Sequence, residues 1–87
     1  MTVTKTHTEY EFHGQMIALT EEEEFILAWT AQDIPKSEQA KRLKVQEHIA
    51  VAMFARLTKR LRKETELEMG GIPLACRLAY ALGLVKL

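Results

Sequence analysis

Residues 19–61, LTEEEEFILAWTAQDIPKSEQAKRLKVQEHIAVAMFARLTKRL, decide how the chain is read. Thr20 followed three residues later by Glu23 is a capping box, in which hydroxyl and carboxylate each satisfy a backbone amide that the helix start leaves orphaned. The acids Glu21 to Glu24 also suit the positive end of a helix dipole. Phe25, Ile26, Trp29 and Thr30 then recur at helical spacing to about Gln32. Asp33-Ile34-Pro35 stops this helix, and the proline sets up the next, Lys36–Leu43, with Ala40 and Leu43 inward. Lys44-Val45 is a tight connection. Gln46 caps a third helix, whose apolar positions Ala50, Met53, Phe54, Leu57 and Leu61 keep the spacing of one buried face. With no breaker before Gly70-Gly71, that helix is expected to run on through Arg62–Glu68.

Outward from this stretch the signals differ. Pro73 and Gly83 bracket a fourth helix through Leu82 that is apolar nearly all round. Such a helix needs cover on two sides, and a seam between two copies supplies the second. Toward the N-terminus, Thr2–Phe12 alternates with period two, Thr4, Thr6, Thr8, Tyr10 and Phe12 on one side, before His13-Gly14 breaks it. A short hairpin and an extended arm both fit, and an isolated hairpin is barely stable in water. The expected architecture is therefore all-α: four helices over 19–87, with residues 1–18 as an N-terminal arm.

Composition narrows the function classes. The 87 residues are 47% hydrophobic and 28% charged, a globular composition for one small domain. Cys76 is the single cysteine, which excludes an internal disulfide framework and a Cys-rich zinc site. His7, His13 and His48 lack metal-ligand spacing, so no metal is expected. No acid–base pair, activated nucleophile or phosphate-binding glycine loop is present, so neither an enzyme nor a cofactor is expected. No apolar run reaches the ~18–20 residues that span a bilayer, and the polar N-terminus carries no secretory signal. The expectation is a cytoplasmic protein without a membrane partner.

The formal charge is zero but unevenly placed. Residues 1–35 carry one base against seven acids, whereas 36–63 carry nine bases against two acids, a balance of +7. A basic middle third fits either a polyanion-binding face or a solvated helical surface.

The order helix, short helix, tight turn, longer helix is that of a helix-turn-helix, and residues 19–61 lie without a gap on the pattern of the LuxR/GerE-type DNA-binding domain. Leu19-Thr20, Glu23, Ala31-Gln32, Glu38, Ala40, Leu43, Val45, Glu47-His48, Leu57 and Leu61 carry the resemblance. Ala75, Ala79 and Gly83-Leu84-Val85 resemble the family's fourth helix. The resemblance implies a stand-alone bacterial or phage transcriptional regulator that binds double-stranded DNA as a homodimer. It implies that the third helix enters the major groove and brings Gln46, Glu47, His48, Ile49, Val51, Ala52, Ala55 and Arg56 to the bases or their rim. Lys36, Ser37, Lys44, Lys59 and Arg60 fall near phosphates. The fourth helix, through Leu74, Cys76, Arg77, Leu78, Tyr80 and Ala81, pairs two copies.

The chain also departs from the pattern. Ile49, Ala50 and Val51 stand where the family has Thr, Val and Lys, and Met53 stands where His is common. Gln39 replaces a branched aliphatic, and Lys44 replaces the glycine of the turn. The reading face is thus apolar, which motivates an alternative: a module of the same fold that grips another regulator or RNA polymerase. Plainer readings stand beside both. His48 also reads as a solvated helix residue, Cys76 as an inert buried thiol, and Trp29 and Tyr80 as core or dimer-seam aromatics.

Overall fold

The structure is a computed structural model and describes residues 7–85. Two antiparallel strands, β1 (His7–Phe12) and β2 (Gln15–Thr20), are followed by four helices. These are α1 (Glu21–Ala31), α2 (Lys36–Leu43), α3 (Glu47–Thr65) and α4 (Gly71–Ala81). The all-α expectation is corrected on this point. Of the described residues 62% are helical but 15% are strand, a small α+β fold.

The hairpin turns on His13 and Gly14, both at positive φ (50° and 83°), the two-residue geometry whose twist matches paired strands. Phe12 faces Gln15 across it, Tyr10 faces Ile17 and Thr8 faces Leu19. This register places Tyr10, Phe12, Ile17 and Leu19 on one face, and Ile17 and Leu19 are fully buried. A hairpin unstable alone becomes part of the domain because its apolar face completes a core with Ile26, Leu27, Leu57, Leu61, Leu74 and Leu78. The alternation expected from Thr2 is described from His7 onward; Thr2 to Thr6 lie outside the described residues.

Thr20 closes β2 and caps α1. Its Oγ1 accepts from the Glu23 amide at 3.2 Å, and the Glu23 carboxylate accepts from the Thr20 amide at 2.8 Å. The buried face of α1 is Ile26, Leu27 and Thr30. Phe25, expected inward, is exposed and stacks on Trp29 with ring centres 5.2 Å apart, and the Arg42 guanidinium lies over the Trp29 ring.

Gln39 is buried where the resemblance implies an aliphatic residue. Its amide donates to the Ile34 carbonyl (2.8 Å) and to Thr30 Oγ1 (3.3 Å), so the polar group keeps partners while joining α2 to the end of α1. Lys44 takes the left-handed conformation (φ 61°) that glycine would adopt there without a Cβ penalty, and the Val45 amide closes back onto the Ala40 carbonyl at 3.0 Å. The turn between α2 and α3 is therefore as tight as its two residues imply.

α3 runs past the end of the quoted stretch but stops at Thr65, short of the expected Glu68. Thr65 Oγ1 turns back to the Leu61 carbonyl (2.8 Å), and Glu66 ends the helix at φ 58°. α4 begins two residues before Pro73 and ends near Gly83 (φ 75°), where the Leu84 amide bonds the Ala79 carbonyl. α4 packs on α1 while α2 packs on α3. Among the described residues no helix is long and apolar enough to cross a membrane.

Candidate nucleic-acid interface

α3 has two unlike sides. Ala50, Leu57, Thr58, Leu61 and Thr65 are buried, with Met53 and Phe54 half-buried beside them. On the opposite side Glu47, His48, Ile49, Val51, Ala52, Ala55, Arg56 and Lys59 are exposed, so the chain's own fold leaves the expected reading side uncovered. Gln46 occupies the cap position, although its side chain makes no capping hydrogen bond. Ser37 and Lys44 are exposed near that end, on the first turn of α2 and in the connecting turn.

The basic residues of this region sort into two groups. Lys44, Arg56, Lys59, Arg62 and Lys63 make no ion pair among the described residues. The sequence does not single out Arg62 and Lys63 as DNA-facing, although both belong to its basic middle third. Arg60 belongs to the second group. Its guanidinium grips both Glu23 oxygens (3.0 and 3.2 Å) and the Ala18 carbonyl (2.8 Å), with Glu64 at 3.7 Å. It therefore ties α3 to the first turn of α1 and to the edge of β2 instead of facing outward. Lys36 is similarly engaged. Its ammonium lies 3.8 Å from the centre of the Phe54 ring and 3.4 Å from Thr30 Oγ1, and burial lowers its pKa. Lys36 and Arg60 thus help to set the angle at which α3 is presented.

Two grooves flank α3. One of about 590 Å³ separates it from the start of α1, floored by Ile26, Met53 and Leu57 and rimmed by Glu22, Glu23, Arg56 and Arg60. The other, about 330 Å³, runs beside Lys59 and Arg62 toward Gly70 and Gly71. Neither converges titratable groups in the way an acid–base site requires. Among the described residues, no three His, Cys, Asp or Glu side chains gather as metal ligands.

The residues expected to pair two copies divide along α4. Leu74 and Leu78 are fully buried in the chain's own core, which corrects their assignment to an intermolecular seam. Arg77, Tyr80 and Ala81 are exposed and Cys76 is half-buried; Ile72, more than half exposed, lies in the same row as Cys76 and Tyr80. The one-sided burial of α4 leaves this row as its unpacked apolar surface.

Compared with known proteins, the chain matches no protein-family model, no curated protein and no solved structure.

Proposed function

We propose that the chain is a DNA-binding transcriptional regulator that lays the exposed side of α3 in the major groove of double-stranded DNA. The observation that carries this reading is the side from His48 to Lys59. It is left uncovered by the fold and flanked by Lys44, Arg56 and Lys59, none of which is spent on an internal ion pair among the described residues. Cations so placed neutralise phosphates and release counterions, which supplies affinity without sequence choice. Sequence choice falls to Arg56, which has the reach for a bidentate pair with a guanine edge, and to Ile49 and Ala52 against thymine methyls. His48 and Gln46 supply hydrogen bonds at the entry to the groove, and Ser37 supplies a hydroxyl for the backbone.

Two copies joined along Cys76, Arg77, Tyr80 and Ala81 of α4 set their α3 helices roughly 34 Å apart, one turn of DNA, over a nearly palindromic site. Counting Lys44 and Lys59 of each copy as phosphate contacts, the affinity of such a dimer falls with a log–log salt slope of about −4. A gel-shift titration of genomic fragments over a range of salt tests this reading. Tight, salt-sensitive binding supports it, and no binding to any fragment at low salt removes it.

One observation favours a second reading, docking of another regulator or RNA polymerase on the same helix. Ile49 and Val51 are 40% and 47% exposed, and apolar side chains so placed suit a protein partner. Ile49→Asp separates the two. Loss of RNA polymerase co-purification with unchanged DNA affinity supports the protein partner; weakened DNA binding alone supports the major groove.

A further inference from the structure

The two edges of the hairpin are treated differently. With Phe12 and Gln15 closing a two-residue turn, Tyr10–Ile17 and Thr8–Leu19 are the hydrogen-bonded pairs. The backbone groups of Met16, Ala18 and Thr20 then point away from β1, and those of His7, Glu9 and Glu11 away from β2. On the β2 side the fold covers this edge with side chains: Arg60 donates to the Ala18 carbonyl and Glu23 accepts from the Thr20 amide. On the β1 side no backbone bond beyond those to β2 occurs among the described residues. An open strand edge is a template for another strand.

We infer that the open edge of β1 is the docking strand for a second copy of this chain, paired antiparallel about Thr8. Charge selects both the partner and the register. His7, Glu9 and Glu11 carry the outward backbone groups, so a symmetric pairing must match odd positions with odd positions. Centring on His7 sets the two imidazoles against each other, and centring on Glu9 sets carboxylate against carboxylate. Centring on Thr8 sets His7 of each copy opposite Glu9 of the other. Charged side chains on an edge usually prevent pairing; here they block the wrong registers and leave one that is complementary to itself. The product is a four-stranded sheet, β2-β1-β1-β2, with both core faces on the same side. Its outer edges are those that Arg60 and Glu23 already cover, so pairing stops at two copies through this surface. It is distinct from the α4 row and does not depend on DNA.

Sedimentation of the full chain, without nucleic acid and up to about 1 mM because so small an interface is weak, tests the inference. The expected result is concentration-dependent self-association that Glu9→Pro weakens by at least about tenfold, the scale of the two backbone bonds removed across the pair. That proline deletes only the outward amide, so the hairpin's own ladder keeps its bonds, and an unchanged thermal midpoint verifies the fold. Glu9→Arg also weakens association, and the double variant His7→Glu/Glu9→Arg restores it. A chain that stays monomeric throughout overturns the inference, as does association unchanged by a folded Glu9→Pro variant or a double variant that fails to restore it. If Glu9→Pro does not fold, the charge exchange decides alone. Tyr80→Glu, measured in parallel, reports on the α4 seam, so failure of one interface is not mistaken for failure of the other.

Discussion

Arg56 and Arg60 stand one turn apart on α3, and their surroundings are opposite. Arg60 enters a junction in which one guanidinium serves both a strand edge, at the Ala18 carbonyl, and the helix-capping carboxylate of Glu23. Arg56 stands on the exposed side of the same helix with no ion-pair partner among the described residues. The contrast teaches that a net charge of +7 over residues 36–63 does not measure what is available to a polyanion. Part of that charge joins the hairpin to the helices, and the rest faces solvent.

The sharpest way to break this comparison is to test whether the hairpin belongs to the bolted side at all. Leu19→Ala empties a fully buried site and should lower stability by about 2–4 kcal/mol in urea unfolding. A hairpin acting as a detached arm would leave the midpoint nearly unchanged. Arg60→Ala should cost about 1–2 kcal/mol, discounted because the side chain is 40% exposed, since it strips partners from Ala18 and Glu23. Arg60→Lys should recover only part of this, because an ammonium does not reproduce the fork.

Arg56→Ala carries the opposite expectation. Its stability should stay within about 0.5 kcal/mol of the parent, while affinity for the preferred site falls at least about fivefold and the preference for guanine at the contacted position relaxes. Equal losses of stability for the two arginines would erase the distinction drawn between them. Lys44→Gly sharpens it further. Relief of the left-handed backbone should raise stability by about 0.5 kcal/mol while removing one unpaired cation, so melting temperature and DNA affinity should move in opposite directions.

The smallest effect concerns Tyr10, whose hydroxyl donates to Glu24 at 2.8 Å. Burial first, and then Glu24, raise its pKa above 10.0. The folded state holds the phenolic proton after the unfolded chain has released it, so this contribution is complete below pH 10 and is lost as the pH rises through the folded value. Subtracting a Tyr10→Phe profile from the parent, from about pH 9 to 12, should isolate it.

What could be read in the sequence was local. The Thr20–Glu23 cap, the stop before Pro35, the two-residue turn after Leu43 and the glycine after α4 each depend on residues a few positions apart, and each lies where the pattern places it. The uncovered side of α3 followed from the same short-range periodicity. Docking of the hairpin was not legible, because part of the core that its apolar face joins comes from α3, about forty positions away. Nor was the engagement of Arg60, whose carboxylate partner lies 37 residues earlier. Phe25 and Leu27 are both compatible with a helix, and only packing against α4 selects Leu27 for the interior. Leu74 and Leu78 serve the protomer's own core because α4 lies against α1, an arrangement that periodicity alone does not specify.

The Arg60 junction also bears on how the chain is made. Synthesis delivers β1, β2 and α1 well before Arg60, Leu61 and α4 leave the ribosome. Until then the Ala18 carbonyl has no guanidinium, and the apolar side of the hairpin has only α1 beside it. The nascent hairpin therefore has two unprotected edges, and arrival of α3 closes one of them in the same step that lays down the core.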